Sequence, residues 1–200
     1  MNKLFPIFIK LHQVNTLLVG GGNVGEEKLS ALLKNSPEAH VTVVADRIKE
    51  EVFELAANHP NVIIFQRPFE WEDLEGKNLV ILGTDNPELH QAIRAETAEK
   101  GILTNVADTP NLCDFYLGSV VIKGDLKIAI STNGKSPTFA KRMREYLEDS
   151  LSDEIQELLD NLHQFRGTLK GDFKHKVEAL NALTEGLLAG SSESQETIAH

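Results

Sequence analysis

Apolar and β-branched residues in the first half of the chain fall in short runs, between which other segments show helical spacing. The short runs predict five strands, at 16–19, 40–45, 61–65, 78–82 and 102–106. The segments rich in helix formers predict helices at 26–33, 50–58 and 87–100. Strands that alternate with helices are typical of an open, mostly parallel, doubly wound sheet.

The second half of the chain follows a different pattern. Two β runs, at 119–122 and 126–130, are separated by a short glycine-containing connection that predicts an antiparallel hairpin. Ser136 and Pro137 begin a predicted basic helix at about 138–150, and two further amphipathic helices are predicted, one after Ser152 and one at 173–188. The tail from residue 190 is small and polar and is predicted to be disordered.

The segment from Gly20 to Gly25, GGGNVG, matches the G-x-G-x-x-G pattern between a predicted strand and a predicted helix. In that context the glycines allow a tight turn, and a pyrophosphate can approach the start of the helix. A glycine turn of purely structural importance is the alternative. The predicted contacts of a dinucleotide with this turn are Gly20, Gly22, Asn23, Val24 and Gly25.

An acidic residue, Asp46, follows the second predicted strand 21 residues after Gly25. At that place a carboxylate can accept a hydrogen bond from the 2′-hydroxyl of an adenosine ribose, which favours NAD. The neighbouring Arg47 would instead attract the 2′-phosphate of NADP, and Asp46 could equally be a solvated loop acid. NAD is therefore the predicted cofactor, with Asp46 and Arg47 beside its ribose.

Further candidate residues lie at or just after the ends of the fourth and fifth predicted strands. Thr84, Asn105 and Val106 are expected to face the same crevice as the glycine turn, because ligands of open α/β sheets bind beyond the carboxyl ends of the strands. Asp108 is then placed near a nicotinamide and is the candidate catalytic residue. Its alternative is a turn or N-cap aspartate ahead of Thr109 and Pro110.

Charge narrows the range of partners. A net charge of -10 argues against nucleic acid, yet residues 119–147 carry six basic and two acidic side chains. With the loop at 131–137, this segment is suited to carboxylates or phosphates, although a solvated basic helix face would look the same. The candidate anion ligands are Ser131, Thr132, Lys135 and Arg142.

Other side chains exclude several classes of site. Cys113 is the only cysteine, so no internal disulfide or cysteine cluster is possible, and a reducing cytoplasm is expected. The seven histidines lack metal-ligand spacing, so no metal site is predicted and each histidine is expected at the surface. The first residues do not resemble a signal peptide, and no apolar run is long enough for a membrane helix.

Five ordered segments together resemble the precorrin-2 dehydrogenase family, which includes the dehydrogenase/ferrochelatase region of siroheme synthase. They are LFPIF at 4–8, VGGGNVG at 19–25 followed by Lys28, GTDNPELH at 83–90, NVADTPNLCDF at 105–115, and ISTNGKSP at 130–137 followed by Ala140 and Arg142. The resemblance covers about residues 2–148. It implies NAD-dependent oxidation of precorrin-2 to sirohydrochlorin, an active-site aspartate at Asp108 and a homodimer, and some relatives also insert Fe²⁺ into sirohydrochlorin.

The chain departs from that family at two positions. Gly25 stands where the family often has another small residue, and Thr109 where it commonly has a second acid. The resemblance implies a Rossmann-like NAD-binding domain at 1–112 and a small α+β segment at 113–148 for dimerisation and substrate binding. The sequence pattern alone predicts the helical C-terminal region at 149–189 and the disordered tail at 190–200. A non-enzymatic, NAD-sensing regulatory module is the alternative function, and it would have no use for Asp108 or the basic loop.

Overall fold

The computed structural model describes residues 2–168 and 173–184. The chain divides into two compact units. Of the described residues, the first unit contains those up to Val120 together with Ala129–Arg142, and the second contains Val121–Ile128 together with those from Met143 onward. The division into four segments expected from the sequence stays a prediction.

A five-stranded parallel sheet forms the centre of the first unit and confirms the predicted α/β fold. Its strands are β1 (Asn15–Gly21), β2 (His40–Ile48), β3 (Val62–Gln66), β4 (Leu79–Leu82) and β5 (Leu103–Val106), in the order β3-β2-β1-β4-β5. The helices between them are α1 (Asn23–Asn35), α2 (Glu50–Ala57) and α3 (Pro87–Lys100). The strand order reverses at β1, so the crevice for a ligand is expected beyond the carboxyl ends of β1 and β4.

Two apolar clusters, one on each face, hold the helices against the sheet. Neighbouring side chains of a strand point to opposite faces, and Leu17 accordingly lies in one cluster and Leu18 in the other. The Leu17 cluster includes Ile93 of α3, whereas the Leu18 cluster includes Leu29 of α1 and Val52 of α2. Strands buried on both faces explain why the sequence shows continuous apolar runs here instead of alternation.

Several element boundaries differ from those that the sequence predicts. Strand β1 continues to Gly21 and β2 to Ile48, because Gly21 pairs with Ile48 after an irregularity in the register. Helix α1 begins at Asn23, three residues before its predicted start. Three short 3-10 turns, at Leu11–Gln13, Trp71–Leu74 and Pro110–Leu112, were not predicted, because turns of three or four residues carry no periodic signal.

The later elements agree with the predicted hairpin and helices. Strands β6 (Ser119–Lys123) and β7 (Leu126–Ile130) form a two-stranded sheet, and the helices are α4 (Pro137–Ser150), α5 (Ile155–Thr168) and α6 (Phe173–Thr184). The predicted end of the last helix at 188 and the predicted disordered tail lie outside the described residues. None of the described helices combines the length and the apolar content that a bilayer span requires.

Candidate active site

The glycine turn packs backbone against backbone at the carboxyl ends of β1 and β4. Gly20 has a φ of 122°, and a Cβ added there would lie 2.7 Å from the carbonyl carbon of Gly83. A Cβ at Gly25 would lie 2.1 Å from the carbonyl oxygen of Gly20. Nothing lies within 4 Å of a Cβ added at Gly22. Gly20 and Gly25 therefore allow the close packing of the turn, whereas Gly22 leaves an open side on which a phosphate can approach.

Helix α1 begins directly after this open side. Gly22 is its N-cap residue, and among the described residues no side chain caps the helix. The first backbone N–H groups, from Asn23 to Gly25, lack intrahelical acceptors by the geometry of a helix start. They are suited to the oxygens of a pyrophosphate, which the helix dipole also attracts.

Asp46 and Arg47 lie on the continuation of β2 beside the glycine turn. The next residues reach the turn itself, because the backbone N–H of Lys49 donates to the carbonyl of Gly21 at 2.9 Å. One carboxylate oxygen of Asp46, Oδ1, accepts a hydrogen bond from the N–H of Arg47 at 2.9 Å. Both side chains are exposed. The placement agrees with a contact to an adenosine ribose, which stays a prediction.

Thr84 follows β4 and is hydrogen-bonded to a histidine that the sequence did not single out. Its Oγ1 lies 2.8 Å from Nε2 of His90 in α3. His90 is buried, so the expectation that every histidine lies at the surface is wrong for this residue. Burial lowers the pKa of His90, and the negative charge of Asp85 opposes that shift only in part. The only signal in the sequence was the position of His90 six residues after Thr84, close to one turn of helix beyond the N-cap Asn86.

The segment after β5 is bonded back onto that strand. The side-chain amide of Asn105 donates to the carbonyl of Phe115 at 2.8 Å, and the N–H of Val106 donates to Sγ of Cys113 at 3.2 Å. Asn105 and Val106 are both buried. These two residues hold the loop at 107–115, and their predicted contact with a cofactor stays a prediction.

Asp108 lies in this loop with an exposed side chain and a φ of 54°, in the left-handed region that few non-glycine residues adopt. The neighbouring Ala107 donates its N–H to the carbonyl of Leu82 at 2.9 Å, which places the loop beside the end of β4. Within residues 2–168 and 173–184 the Asp108 carboxylate takes part in no hydrogen bond or ion pair. Thr109, not Asp108, is the N-cap of the following 3-10 turn. The carboxylate therefore has no capping role there, which weakens the structural alternative.

The basic loop is held by its own hydroxyl groups. The N–H of Ser136 donates to Oγ1 of Thr132 at 3.0 Å, and Oγ of Ser136 accepts from the N–H of Phe139 at 3.1 Å and so caps α4. Oγ of Ser131 accepts from the N–H of Asn133 at 3.1 Å. Lys135 is exposed in the loop, as is Arg142 on α4, and both belong to the first compact unit. The hydroxyls thus order the loop, and the side chains of Lys135 and Arg142 are exposed.

The described residues hold no group of three or more His, Cys, Asp or Glu side chains that could bind a metal ion. Cys113 is half-buried, and burial raises the pKa of its thiol. Asp108 stays the candidate for acid–base chemistry, and its catalytic role is a prediction.

Comparison with known proteins agrees with this geometry. Residues 7–119 match the family model described as "Putative NAD(P)-binding". The chain belongs to this NAD(P)-binding family. Residues 123–150 match a second model, described as "Sirohaem biosynthesis protein central". The order of the two matches confirms the resemblance that the five sequence segments indicated.

Relatives of this NAD(P)-binding family member include siroheme synthases. The siroheme synthase of Ruthia magnifica subsp. Calyptogena magnifica is 34% identical over 175 residues, which cover 88% of this chain and 36% of that protein. The siroheme synthase of Vesicomyosocius okutanii subsp. Calyptogena okutanii is 34% identical over 190 residues, which cover 95% of this chain and 40% of that protein. The chain thus spans less than half the length of these relatives.

A solved structure with the same fold is titled "SirC, precorrin-2 dehydrogenase". It superimposes with a TM-score of 0.69 at 23% identity, covering 90% of this chain and 89% of that one. The NAD(P) cofactor of the family fits the observed turn, because the open side at Gly22 and the uncapped start of α1 leave room and donors for a pyrophosphate. Gly22, Asn23 and Val24 would hold that group.

Proposed function

We propose that this chain is a precorrin-2 dehydrogenase, which oxidises precorrin-2 to sirohydrochlorin with NAD⁺ in siroheme biosynthesis. The observation that carries the proposal is the carboxylate of Asp108, exposed at the carboxyl end of β5 on a left-handed backbone and without a structural partner among the described residues. A side chain that is held in an unusual conformation without stabilising the fold is characteristic of a functional site.

The reaction removes a hydride and a proton from precorrin-2, and NAD⁺ supplies the hydride acceptor when it is bound. The products are sirohydrochlorin, NADH and one proton, so electrons and protons balance. Asp108 either takes this proton as a base or accepts a hydrogen bond that orients the macrocycle. Both roles require its charged form and its position near the nicotinamide.

The substrate carries eight carboxylates, and the basic loop supplies complementary charge. Lys135 and Arg142 would pair with acetate or propionate groups, and Ser131 and Thr132 would order the loop around them. Since the hydroxyls already bond within the loop, little ordering is left to occur on binding. If the chain also inserts Fe²⁺ into sirohydrochlorin, the same basic side chains would bind the carboxylates of that tetrapyrrole.

A homodimer and a cytoplasmic location complete the proposal. Phe5, Ile7 and Phe8 expose between 60% and 85% of their surface, and Phe139 exposes 56%. A contiguous patch of such groups would be typical of a surface that binds another protein chain. The half-buried thiol of Cys113 suits a reducing compartment. Light scattering on the purified chain would give its mass in solution.

The test of the activity is to incubate the protein with NAD⁺ and enzymatically generated precorrin-2 while following NADH absorbance. We expect NADH to form in proportion to precorrin-2 consumed. A sensing module would bind NAD⁺ with no NADH formed, and that outcome would overturn the proposed activity while leaving the cofactor assignment in place.

A further inference from the structure

We propose that Glu26 and Glu51 contribute to selection of NAD over NADP by withholding the ammonium group of Lys49 from the 2′ position of the adenosine ribose. The inference rests on the proposed function, because it assumes that the glycine turn binds a dinucleotide. It adds a determinant to Asp46, whose effect would be repulsion of the 2′-phosphate.

Lys49 and Glu26 border the glycine turn, and Glu51 lies in the first turn of α2. The N–H of Lys49 donates to the carbonyl of Gly21 at 2.9 Å, so Lys49 follows the end of β2 where that strand meets the turn. Glu26 is in the first turn of α1, and its N–H donates to the carbonyl of Gly22 at 2.9 Å. In dinucleotide-binding sheets the adenosine ribose lies at the end of the second strand. Lys49 is therefore a cation beside the ribose position.

The ammonium group of Lys49 is held between two carboxylates. Its Nζ lies 2.5 Å from Oε2 of Glu26 and 3.4 Å from Oε1 of Glu51. The hydrogen bond with Glu26 raises the pKa of Lys49, so the group stays charged while it is paired. The side chains of Lys49 and Glu26 are each 33% exposed, so the pair lies at the surface of the molecule beside the glycine turn.

This pairing changes how the site responds to a phosphate. A free lysine at this place would attract the 2′-phosphate of NADP, whereas the cluster of Lys49, Glu26 and Glu51 carries a net negative charge. In return, Lys49 neutralises Glu26, which would otherwise repel the pyrophosphate at the start of α1. The pair therefore has two effects: it keeps a free cation away from the 2′ position, which disfavours NADP, and it neutralises an anion near the pyrophosphate, which favours both nucleotides.

The experiment measures NAD⁺ and NADP⁺ affinities by calorimetry at low salt. In Glu26→Gln one partner of Lys49 is lost, and we expect the Kd for NADP⁺ to fall by about three-fold to ten-fold relative to that for NAD⁺. Glu27→Gln is the matched control. It removes the same charge from the next residue of α1, but Glu27 is bonded to Lys28 at 2.8 Å instead of Lys49.

Two more variants separate the effect of the Lys49 ammonium group from the effect of net charge alone. Lys49→Met should weaken binding of both nucleotides, because Glu26 is then left uncompensated. Adding Lys49→Met to Glu26→Gln should abolish the gain for NADP⁺, since the freed ammonium is absent. The gain should also shrink at about 0.5 M salt, where charges are screened within a few ångström.

The outcomes for the proposed function and for this inference are distinct. If the wild type binds neither nucleotide, the proposed function fails and this inference fails with it. If the wild type binds NAD⁺ but Glu26→Gln and Glu27→Gln change the NADP⁺ to NAD⁺ ratio equally, only the role of the Lys49 pair is overturned. If NADP⁺ binding still improves in the double variant Glu26→Gln/Lys49→Met, the role of the Lys49 pair is likewise overturned.

Discussion

Oδ1 of Asp114 lies 2.6 Å from Nη2 of Arg94, and this ion pair joins the segment after β5 to helix α3. The second carboxylate oxygen of Asp114 accepts the N–H of Thr104 at 2.9 Å, and the N–H of Asp114 donates to the carbonyl of Thr104 at 2.8 Å. The far end of the loop that carries Asp108 is therefore fixed to β5. A loop that is pinned at both ends can hold Asp108 in its left-handed conformation.

We expect Asp114→Ala to lower the free energy of unfolding by about 1–3 kcal/mol, the usual range when a charged hydrogen-bond partner is removed. The loss combines the ion pair with Arg94 and the acceptor for Thr104. Urea unfolding monitored by circular dichroism measures it. The control is Glu96→Gln in α3, the helix that carries Arg94. The exposed ion pair of Glu96 with Lys100 should be worth only about 0.3–0.5 kcal/mol. Equal effects of the two variants would contradict the anchoring role of Asp114.

The glycine turn gives a prediction with an internal comparison. Gly20→Ala should destabilise the fold by at least about 2 kcal/mol, because a φ of 122° is strained for alanine and the new Cβ would contact the Gly83 backbone. Gly22→Ala should unfold at nearly the wild-type temperature, because the space around that position is open. Thermal unfolding of both variants tests this pair. If Gly20→Ala is as stable as Gly22→Ala, the inference that the turn is closely packed at Gly20 is wrong.

Buried His90 predicts a pH dependence of stability. In the folded state, burial lowers the pKa of His90 below its ordinary value of 6.5. As the pH falls below about 6.5, this histidine therefore binds a proton in the unfolded chain before it does so in the folded chain. The contribution of His90 is therefore fully present above that pH and is lost as the pH falls toward the folded-state pKa. We expect the melting temperature of His90→Gln to depend less on pH between about 7.5 and 5.5 than that of the wild type.

The exposed His40 supplies the control for this measurement. His40→Gln should keep the pH dependence of the wild type, because the side chain at position 40 is exposed and lacks the burial on which the effect of His90 rests. If both substitutions reduce the pH dependence of the melting temperature equally, burial of His90 is not the cause of that dependence. Removal of His90 also frees Thr84 Oγ1 from a 2.8 Å hydrogen bond, which makes NAD⁺ affinity a useful second readout.

Local patterns in the sequence were sufficient for the sheet and for the position of the glycine turn. The buried strands could be predicted because runs such as HVTVVA have the length and the β-branched content of buried parallel strands. The glycine turn could be placed because its pattern lies between a strand and a helix. The α/β class needed no information about contacts between distant residues.

Contacts between residues that are distant in the sequence could not be predicted in the same way. Lys49 and Glu26 are 23 residues apart, and Arg94 and Asp114 are 20 residues apart. Each of these charged residues looks like an ordinary surface residue until the fold brings its partner near. His90 was missed for the same reason, because a polar residue at a buried helical position resembles a surface one when its partner is unknown.

The substitution Asp108→Asn tests the proposed catalytic residue most directly. Asparagine tolerates the left-handed backbone about as well as aspartate, so the φ of 54° should be kept and only the charge is lost. Loss of a general base or of a charged acceptor should lower kcat by about 100-fold or more. NAD⁺ binding should change little, because the glycine turn and Asp46 are unaltered.

The same preparation of Asp108→Asn also tests the structural alternative. A turn aspartate with no catalytic part would lower the melting temperature and leave turnover per folded molecule intact. We expect the reverse, an unchanged melting temperature with slow NADH formation, because Asp108 is exposed and caps no helix in the described part of the chain. Near wild-type turnover would remove Asp108 from the mechanism. A catalytic effect would then have to come from positioning of the substrate by the basic loop, with Lys135 and Arg142 as the next residues to replace.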